Sequence, residues 1–544
     1  MPMISALENR EPRRESFLAP VEQVPGWIRG RQAQPWLTFI AICTAMLAIV
    51  LVPTFVATYP GLIDYPNHLA RIHLLSRLPE DMAYGRFYAI HGALQPNLAM
   101  DIIALALVRI GVPIEIAGGA FTAMCIAILC LGTIAIAWVV QDKPPWTALP
   151  VFAIVFNINL TMGFLNYIFG MGLALIVLAI WLRYNESVGW VHVVVLSFLA
   201  IALLLCHLMA FAVFGAAVLA AAVQDCWSTR ASGLRYRPAL RALAVLLPGA
   251  LAYAVLFEHA GRLDLAFDPT FRTKLFGLLG IIYSHGLWWD GLLPGAAIVT
   301  VVVMRRRVQL SFANATVRFI LFLLALLYLL APFAAMGSWY LDTRLAVPLV
   351  CCAIAFVRVD PLPSARSTLA VVLLVCLSAL VVQRSLVVAS DWREASRHFA
   401  QVRQALNTVP AGTSVATLLR KARASGPESP PMRYAAALGL LDKALLIPNL
   451  FAYPFNGQLI EFKPACVEYI RPYTSATQFP GPPDDWVALS RSFDYVLIQG
   501  SSMRQQPPAY YRLVAEGPYF ELWATSLPPD GDTLQDSSSR PAAC

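Results

Sequence analysis

The stretch TYPGLIDYPNHLARIHLLSRL, residues 58–78, directly follows a long apolar run and gathers Asp64, His68, Arg71, His73 and Arg77. A carboxylate in such a place can take up a proton as a bond forms, provided that partial burial and neighbouring charges tune its pKa. A guanidinium can hold a phosphate bidentately. The same two residue types recur far along the chain, as Asp342 and Arg344 in GSWYLDTRLAVPL, residues 337–349. There the Arg lies at the end of an apolar run, where it can meet a lipid phosphate, and Asp342 can orient or neutralise it. Asp101, at the start of another apolar run, either lines the same cavity or caps a helix.

Each of these residues also has a purely structural reading. Asp64 or Asn67 can cap a helix whose first turn holds Pro66. His68 is either part of the site or a solvated interface residue, and Arg71 and Arg77 can snorkel toward lipid headgroups. Arg344 can be a helix-end anchor. A divalent metal would suit an Asp64–His68 pair, but no third ligand is evident, so no metal or other cofactor is assigned. His91 and His285 have no evident partner. Asn166, Tyr167 and His207 fall within apolar runs, together with Gly163, Gly170 and Gly172. These read as hydrogen bonds between helices and as close helix packing.

The elements that must position these groups are membrane helices. The chain has 544 residues, of which 58% are hydrophobic and 13% charged, whereas soluble domains carry about 25% charged residues. Apolar runs long enough to cross a hydrocarbon core of about 30 Å recur along it. Spans are expected near 36–57, 97–112, 115–139, 147–158, 160–182, 190–223, 241–258, 290–304, 314–333, 343–358 and 368–388, about eleven in all. The segment 147–158 can instead be half of a re-entrant hairpin turning at NINL (157–160). The Arg-rich N-terminus, 225–241, the RRR at 305–307 and 358–366 are basic. Alternating the spans places all four on one side, which the positive-inside rule makes cytoplasmic. Loop 58–96, loop 259–289, the short loop 336–344 and everything after about Ser390 then lie outside. The net charge of +8 is accounted for by these loops. No basic stripe interleaved with aromatics suggests nucleic acid, and no Walker motif or dinucleotide fingerprint is present.

The organisation expected is a cytoplasmic tail (1–35), a transmembrane region (36–389) whose loop 58–96 carries the site, an extracytoplasmic α/β domain (390–527) and a disordered tail (528–544). Residues 63–79 space their apolar side chains as an amphipathic helix lying on the membrane surface does, and a second such segment follows before the next span. DWREASRHFAQVRQAL (391–406) reads as an amphipathic helix, and TSVATLL (413–419), FDYVLIQG (493–500) and YFELWAT (519–525) as strands. Most of the ten Cys lie in apolar runs. Cys466 and Cys544 alone fall in the soluble part, where an oxidising compartment would let them pair.

An external first loop with an acidic residue near its start resembles the GT-C glycosyltransferases, membrane enzymes that include the protein O-mannosyltransferases and aminoarabinose transferases. An Arg followed by a Pro at the outer end of a late span, here Arg344 and Pro348, is a second point of resemblance. The resemblance implies a polytopic GT-C-like helical membrane protein with a small C-terminal α/β domain, at the bacterial inner membrane. It implies transfer of a sugar from a polyprenyl-phosphate donor to a glycan, lipid or protein acceptor of the cell envelope, by an inverting mechanism with Asp64 as base. Arg344 and Arg71, with Arg262 or Lys274 beside them, would hold the departing phosphate. Many members carry paired acidic residues in that loop, whereas Asp64 stands alone and Glu80 and Asp81 lie well beyond it. A transporter of lipid-linked saccharides, or a non-catalytic subunit of a polysaccharide assembly complex, would have the same topology. The clustering of ionisable residues at the outer boundary, and the lack of an internal repeat, favour an enzyme.

Overall fold

The computed structural model describes residues 33–92, 95–141, 143–184, 189–228, 236–256, 265–268, 270–282, 295, 308–335, 338–361, 368–419, 432–454, 459–474, 486–500, 507–526 and 544. The expected span 290–304, and Arg262 and His285, lie outside the described residues. Two compact units are present, Met1–Ala45 and Met46–Cys544. The described part of the first is the opening of helix α1 (Ala33–Val56), with Trp36 and Phe39 edge-to-face at 6.5 Å.

The second unit continues with α2 (Tyr65–Arg77), the single turn α3 (Met82–Gly85), strand β1 (Tyr88–Ile90), α4 (Ala99–Arg109) and α5 (Ile114–Gln141). Two short turns, α6 (Val151–Ile154) and α7 (Ile158–Thr161), precede α8 (Leu165–Tyr184), α9 (Trp190–Cys206), α10 (Leu208–Ser228) and α11 (Arg237–Leu256). Next come β2 (Leu265–Ala266), α12 (Arg272–Leu279), β3 (Val308–Phe312), α13 (Ala315–Leu330), β4 (Ala334–Ala335), β5 (Ser338–Trp339), α14 (Leu341–Phe356) and β6 (Val357–Pro361). The long helix α15 (Thr368–Leu406) leads to β7 (Val415–Leu419), a 3₁₀ segment (Met432–Leu441), β8 (Ile460–Phe462), α16 (Pro464–Thr474) and α17 (Trp486–Ser492). Strand β9 (Tyr495–Gln499) and the hairpin strands β10 (Tyr511–Gly517) and β11 (Phe520–Thr525) follow.

Among the described residues six helices are long and apolar enough to cross a membrane, and Trp146–Thr161, Trp190–Cys206 and Ala315–Leu330 are shorter apolar helical stretches. Contacts define two ends of the bundle. At one, Gln141 Nε2 donates to the carbonyls of Ala355 (2.9 Å) and Val357 (3.3 Å). Arg358 donates to the Val140 carbonyl there (2.6 Å), and β3 pairs antiparallel with β6. At the other end, Ile63 and Asp64 donate backbone N–H groups to Thr161 and Met162 (3.0 and 3.1 Å), and Leu98 donates to Leu205 (2.9 Å). Arg403 clamps that end by binding Tyr59, Glu115 (2.6 Å) and Asp442 (2.7 Å).

Two expected spans are corrected by these contacts. The run 97–112 does not cross: α4 has 11 residues, roughly 16 Å at 1.5 Å per residue, against a core of about 30 Å. Glu115, just beyond it, is held at the same end as Tyr59 by Arg403. The run 190–223 is two helices broken at His207, whose backbone is extended (φ −170°, ψ 130°). The two corrections offset each other in the number of expected spans.

The surface-helix reading of α2 is also corrected. Tyr65 through Leu75 are all buried, because α2 is covered by the 3₁₀ segment on one side and by α4 and α5 on the other. The expected second surface helix is instead one turn followed by β1, which pairs with β8 of the C-terminal part. Tyr88 hydroxyl donates to the Leu445 carbonyl (2.9 Å) and accepts from Ile447 N (3.0 Å). Residues 391–406 are no separate helix either. They continue α15, whose 39 residues make roughly 58 Å, far more than a bilayer core.

The strands expected at 413–419, 493–500 and 519–525 are present as β7, β9 and β11. With β10 they form a sheet of order β10-β11-β9-β7, antiparallel except for β7 and β9. Val496 and Ile498 alternate onto the face that packs against Leu418, Leu489, Phe493 and Tyr511. Cys466 and Cys544 form a disulfide.

Candidate active site

Asp64 stands where the first loop enters α2, and what holds it there is a broken helix. Asn157 caps α7, accepting from Asn159 N (3.1 Å) and Leu160 N (3.3 Å), which stops α6 from running into it. The break frees the Phe156 carbonyl, and the buried Arg384 of α15 donates to it (2.9 Å). The chain then turns at Gly163, in the left-handed region (φ +86°). A Cβ at Gly163 would lie 2.8 Å from Asp64 N and 2.9 Å from Asp64 Cβ. Only glycine permits that approach and that backbone conformation together.

The capping role is excluded for Asp64: its side chain makes no capping hydrogen bond, although it precedes α2. Asp64 is half-buried and, among the described residues, its carboxylate has no hydrogen-bond or ion-pair partner. Burial pushes its pKa up to about 7, against the opposing charges of Arg344, Arg433 and Arg71.

Arg344 lies across the Gly163 turn. Its guanidinium stacks over Phe164 at 4.1 Å from the ring centre and lies 6.0 Å from Tyr167. Nη1 donates to Ser338 Oγ (3.1 Å), and Nε is buried without a partner. The Arg344–Pro348 spacing has a physical use. Pro348 lies within α14 and has no N–H for the carbonyl four residues back. That carbonyl belongs to Arg344, and the Tyr167 hydroxyl donates to it, tying α14 to α8. Tyr340, immediately before α14, is in the left-handed region (φ 61°), a strained conformation for a non-glycine residue that clusters at functional sites.

The remaining expected site residues are supports. Arg71 is fully buried, and its Nε donates to Asp101 Oδ1 at 2.7 Å. Its Nη2 donates to His68 Nδ1 (3.2 Å), and His68 Nε2–H donates to the Gly163 carbonyl (3.0 Å). His68 is therefore a buried neutral bridge, not a solvated residue: burial, then Arg71, pushes its pKa down to about 3. The expectation that Arg71 binds phosphate is corrected, since Asp101 and His68 occupy it. Asp101 neither lines an open cavity nor caps α4, whose N-cap is Leu98. Asp342 does not pair with Arg344: it accepts from Thr343 N (2.8 Å) and forms an ion pair with Lys274 (3.2 Å). Among the described residues no cluster of three or more His, Cys, Asp or Glu has metal-site geometry. Asp81 caps α3 through Ala83 N (2.9 Å) and stays outside the site.

The polar residues within the helices are structural. Asn166 accepts from Met100 N (2.7 Å) and donates to the Asn97 carbonyl (2.6 Å). His207 Nδ1 accepts from Met209 N (3.1 Å). Gly132 and Gly172 meet where α5 and α8 cross, a Cβ on Gly132 lying 2.4 Å from the Gly172 carbonyl. His91 has a partner, Glu461, at 2.8 Å.

Arg433 and Tyr434 were not among the residues expected from the sequence. Asn449 Nδ2 donates to the Arg433 carbonyl (3.2 Å), and the Arg433 guanidinium lies 5.4 Å from the Tyr434 ring centre. Tyr434 packs on Phe451 at 4.9 Å, Phe451 lies 6.5 Å from His68, and Phe451 N donates to Asn67 Oδ1 (3.1 Å). Burial, then the Asp64 carboxylate, raises Tyr434 to about 12.

Removing one partner of the Arg71–Asp101 pair should destabilise strongly. Arg71→Met strands a buried carboxylate and is expected to cost about 3–5 kcal/mol, while Arg71→Met with Asp101→Leu should recover most of it. Thermal melting of the three variants in detergent checks this. Equal melting of the single and double variants contradicts it.

No protein-family model matches the chain, and no curated protein matches it. Among solved structures, the crystal structure of ArnT from Cupriavidus metallidurans bound to undecaprenyl phosphate is similar with a TM-score of 0.48 at 11% identity, covering 94% of this chain and 100% of that one. The apo structure of the same protein gives a TM-score of 0.46 at 12% identity, over 90% of this chain and 98% of that one.

Proposed function

We propose that this chain is a membrane glycosyltransferase. It moves a sugar from a polyprenyl-phosphate donor to a glycan, lipid or protein acceptor on the outer face of the bacterial inner membrane. The observation that carries the reading is that, at one bundle end, the Asp64 carboxylate, unpartnered among the described residues, feels the charge of an Arg344 guanidinium that keeps a buried, unpartnered Nε.

The acceptor hydroxyl oxygen attacks the anomeric carbon from the face opposite the phosphate, giving inversion. The anomeric C–O bond breaks and its electron pair stays on the phosphate oxygen. The acceptor proton passes to Asp64, whose pKa of about 7 suits a base at neutral pH. Arg344 holds the phosphate at the lipid boundary. His68, Arg71 and Asp101 fix the Gly163 turn from below, and Lys274 fixes Asp342 at the start of α14. No step calls on a metal.

Eleven crossings follow if α1, α5, α6–α7, α8, α9, α10, α11, α13, α14 and α15 alternate with one crossing outside the described residues. The basic segments then face the cytoplasm with the tail 1–35. Loop 58–96 and residues 390–527 face outward. The Cys466–Cys544 disulfide supports that side, since such bonds persist in oxidising compartments.

The test is release of polyprenyl phosphate from polyprenyl-phosphate-linked sugars by the purified chain in the presence of envelope acceptors. Release that needs an acceptor supports the reading. No turnover with any donor of this class, by a well-folded preparation, sinks it.

A further inference from the structure

Counting charge around Asp64 leaves one cation without a role. Arg71 is balanced by Asp101 at 2.7 Å, and Lys274 by Asp342 at 3.2 Å. Arg403, further out, is balanced by Glu115 and Asp442. Two guanidiniums at the site lack a carboxylate partner among the described residues, Arg344 and Arg433. Each keeps a buried Nε with no hydrogen-bond partner. Arg433 is not held loosely. Asn449 fixes its backbone, Tyr434 underlies its guanidinium, and Phe451 links Tyr434 to Asn67 and His68 of α2. A guanidinium N–H left buried without a partner is costly unless an anion meets it.

The bond changes supply such an anion. A polyprenyl-phosphate sugar is a phosphodiester with one negative charge. When its anomeric C–O bond breaks, the electron pair remains on oxygen and the leaving group becomes a monoester with a second charge. One cation matches the donor, whereas two match the leaving group.

We infer that Arg433, carried by the C-terminal 3₁₀ segment, is a catalytic residue that binds the second charge developing on the departing phosphate, while Arg344 binds the charge already present. This rests on the glycosyltransferase reading above. It makes the C-terminal part a contributor to the active site, delivered by the packing of Met432–Leu441 on α2.

The experiment measures binding of two probes to the full-length protein in nanodiscs at pH 8. One is undecaprenyl phosphate, a monoester that is dianionic there because its second pKa is about 6. The other is its methyl ester, a monoanionic diester. Arg433→Ala should weaken the monoester by about 10- to 100-fold, as loss of a charge-assisted hydrogen bond does, and the diester by less than about threefold. Arg433→Gln, which stays polar and keeps the first three side-chain carbons but carries no charge, should do the same, and Arg433→Lys should recover most of the monoester affinity. Arg344→Ala should weaken both probes together. Equal loss of both probes in Arg433→Ala and Arg433→Gln, or no loss of either, overturns the inference while leaving the reading of Arg344 in place. Failure of the wild type to bind either probe overturns both.

Discussion

Asp64→Asn is expected to lower sugar transfer by about a thousandfold, within the range that a positioned general base contributes, and to leave a protein more stable than the wild type. The two effects share a cause. Asp64 is crowded by protein and, among the described residues, makes no hydrogen bond or ion pair, so burial outweighs the more distant charges of Arg344, Arg433 and Arg71 and lifts its pKa to about 7 from an ordinary 3.8. A carboxyl whose folded pKa exceeds its unfolded one stabilises the fold at acid pH, and that contribution is lost as pH rises from about 4 toward 7. Asn never ionises and avoids the loss. Asp64→Asn should therefore gain about 1–2 kcal/mol over wild type at pH 8, after allowance for its contact with solvent, and nothing at pH 4. Thermal melting at both pH values, beside the transfer assay, checks the pair of effects. A variant that is inactive because it has lost its fold would melt lower at both.

Arg344→Ala is expected to lower kcat/KM by about a hundredfold, mostly through weaker donor binding and with a smaller fall in kcat, because Arg344 meets the charge that the donor already carries. Arg344→Lys should recover little. An ammonium cannot reproduce a planar guanidinium stacked at 4.1 Å over Phe164 while aiming a second N–H at phosphate. Steady-state rates with donor held above and below saturation separate the two effects. An Arg344→Lys variant with wild-type rates would mean that charge alone, without the fork geometry, suffices.

The candidate site was legible where residue type and placement coincide. An Asp just past one apolar run and an Arg at the end of another are visible without coordinates, and so is the Pro four residues after that Arg. What was hidden is the partner that makes each spacing useful. Tyr167 takes the carbonyl freed by Pro348, and Gly163 makes room for Asp64, yet both lie in a stretch that reads as ordinary close-packed helix. Arg433 was hidden because nothing in MRYAAALGLL points toward a loop hundreds of residues earlier.

The span errors have equally physical roots. Hydropathy cannot distinguish a short buried helix from a crossing, so α4 was read as a span. It also runs straight through Leu205–Leu208, where only the extended backbone at His207 divides α9 from α10. The continuity of α15 was legible: residues 368–406 contain neither Gly nor Pro, the residues that most readily end a helix. The change from apolar to charged side chains near Ser390 marks where the helix leaves the bilayer, not where it stops.

The most direct measurement of the central claim is the pH profile of kcat/KM for transfer from a polyprenyl-phosphate sugar. The donor is a phosphodiester and keeps one charge from pH 5 to 8, so an ionisation in that window belongs to the protein. A base at Asp64 with a pKa of about 7 predicts a rate that falls close to tenfold per pH unit below that value. It also predicts that this limb is absent from the residual activity of Asp64→Asn. A profile flat down to pH 5, or the same limb retained in Asp64→Asn, would contradict it.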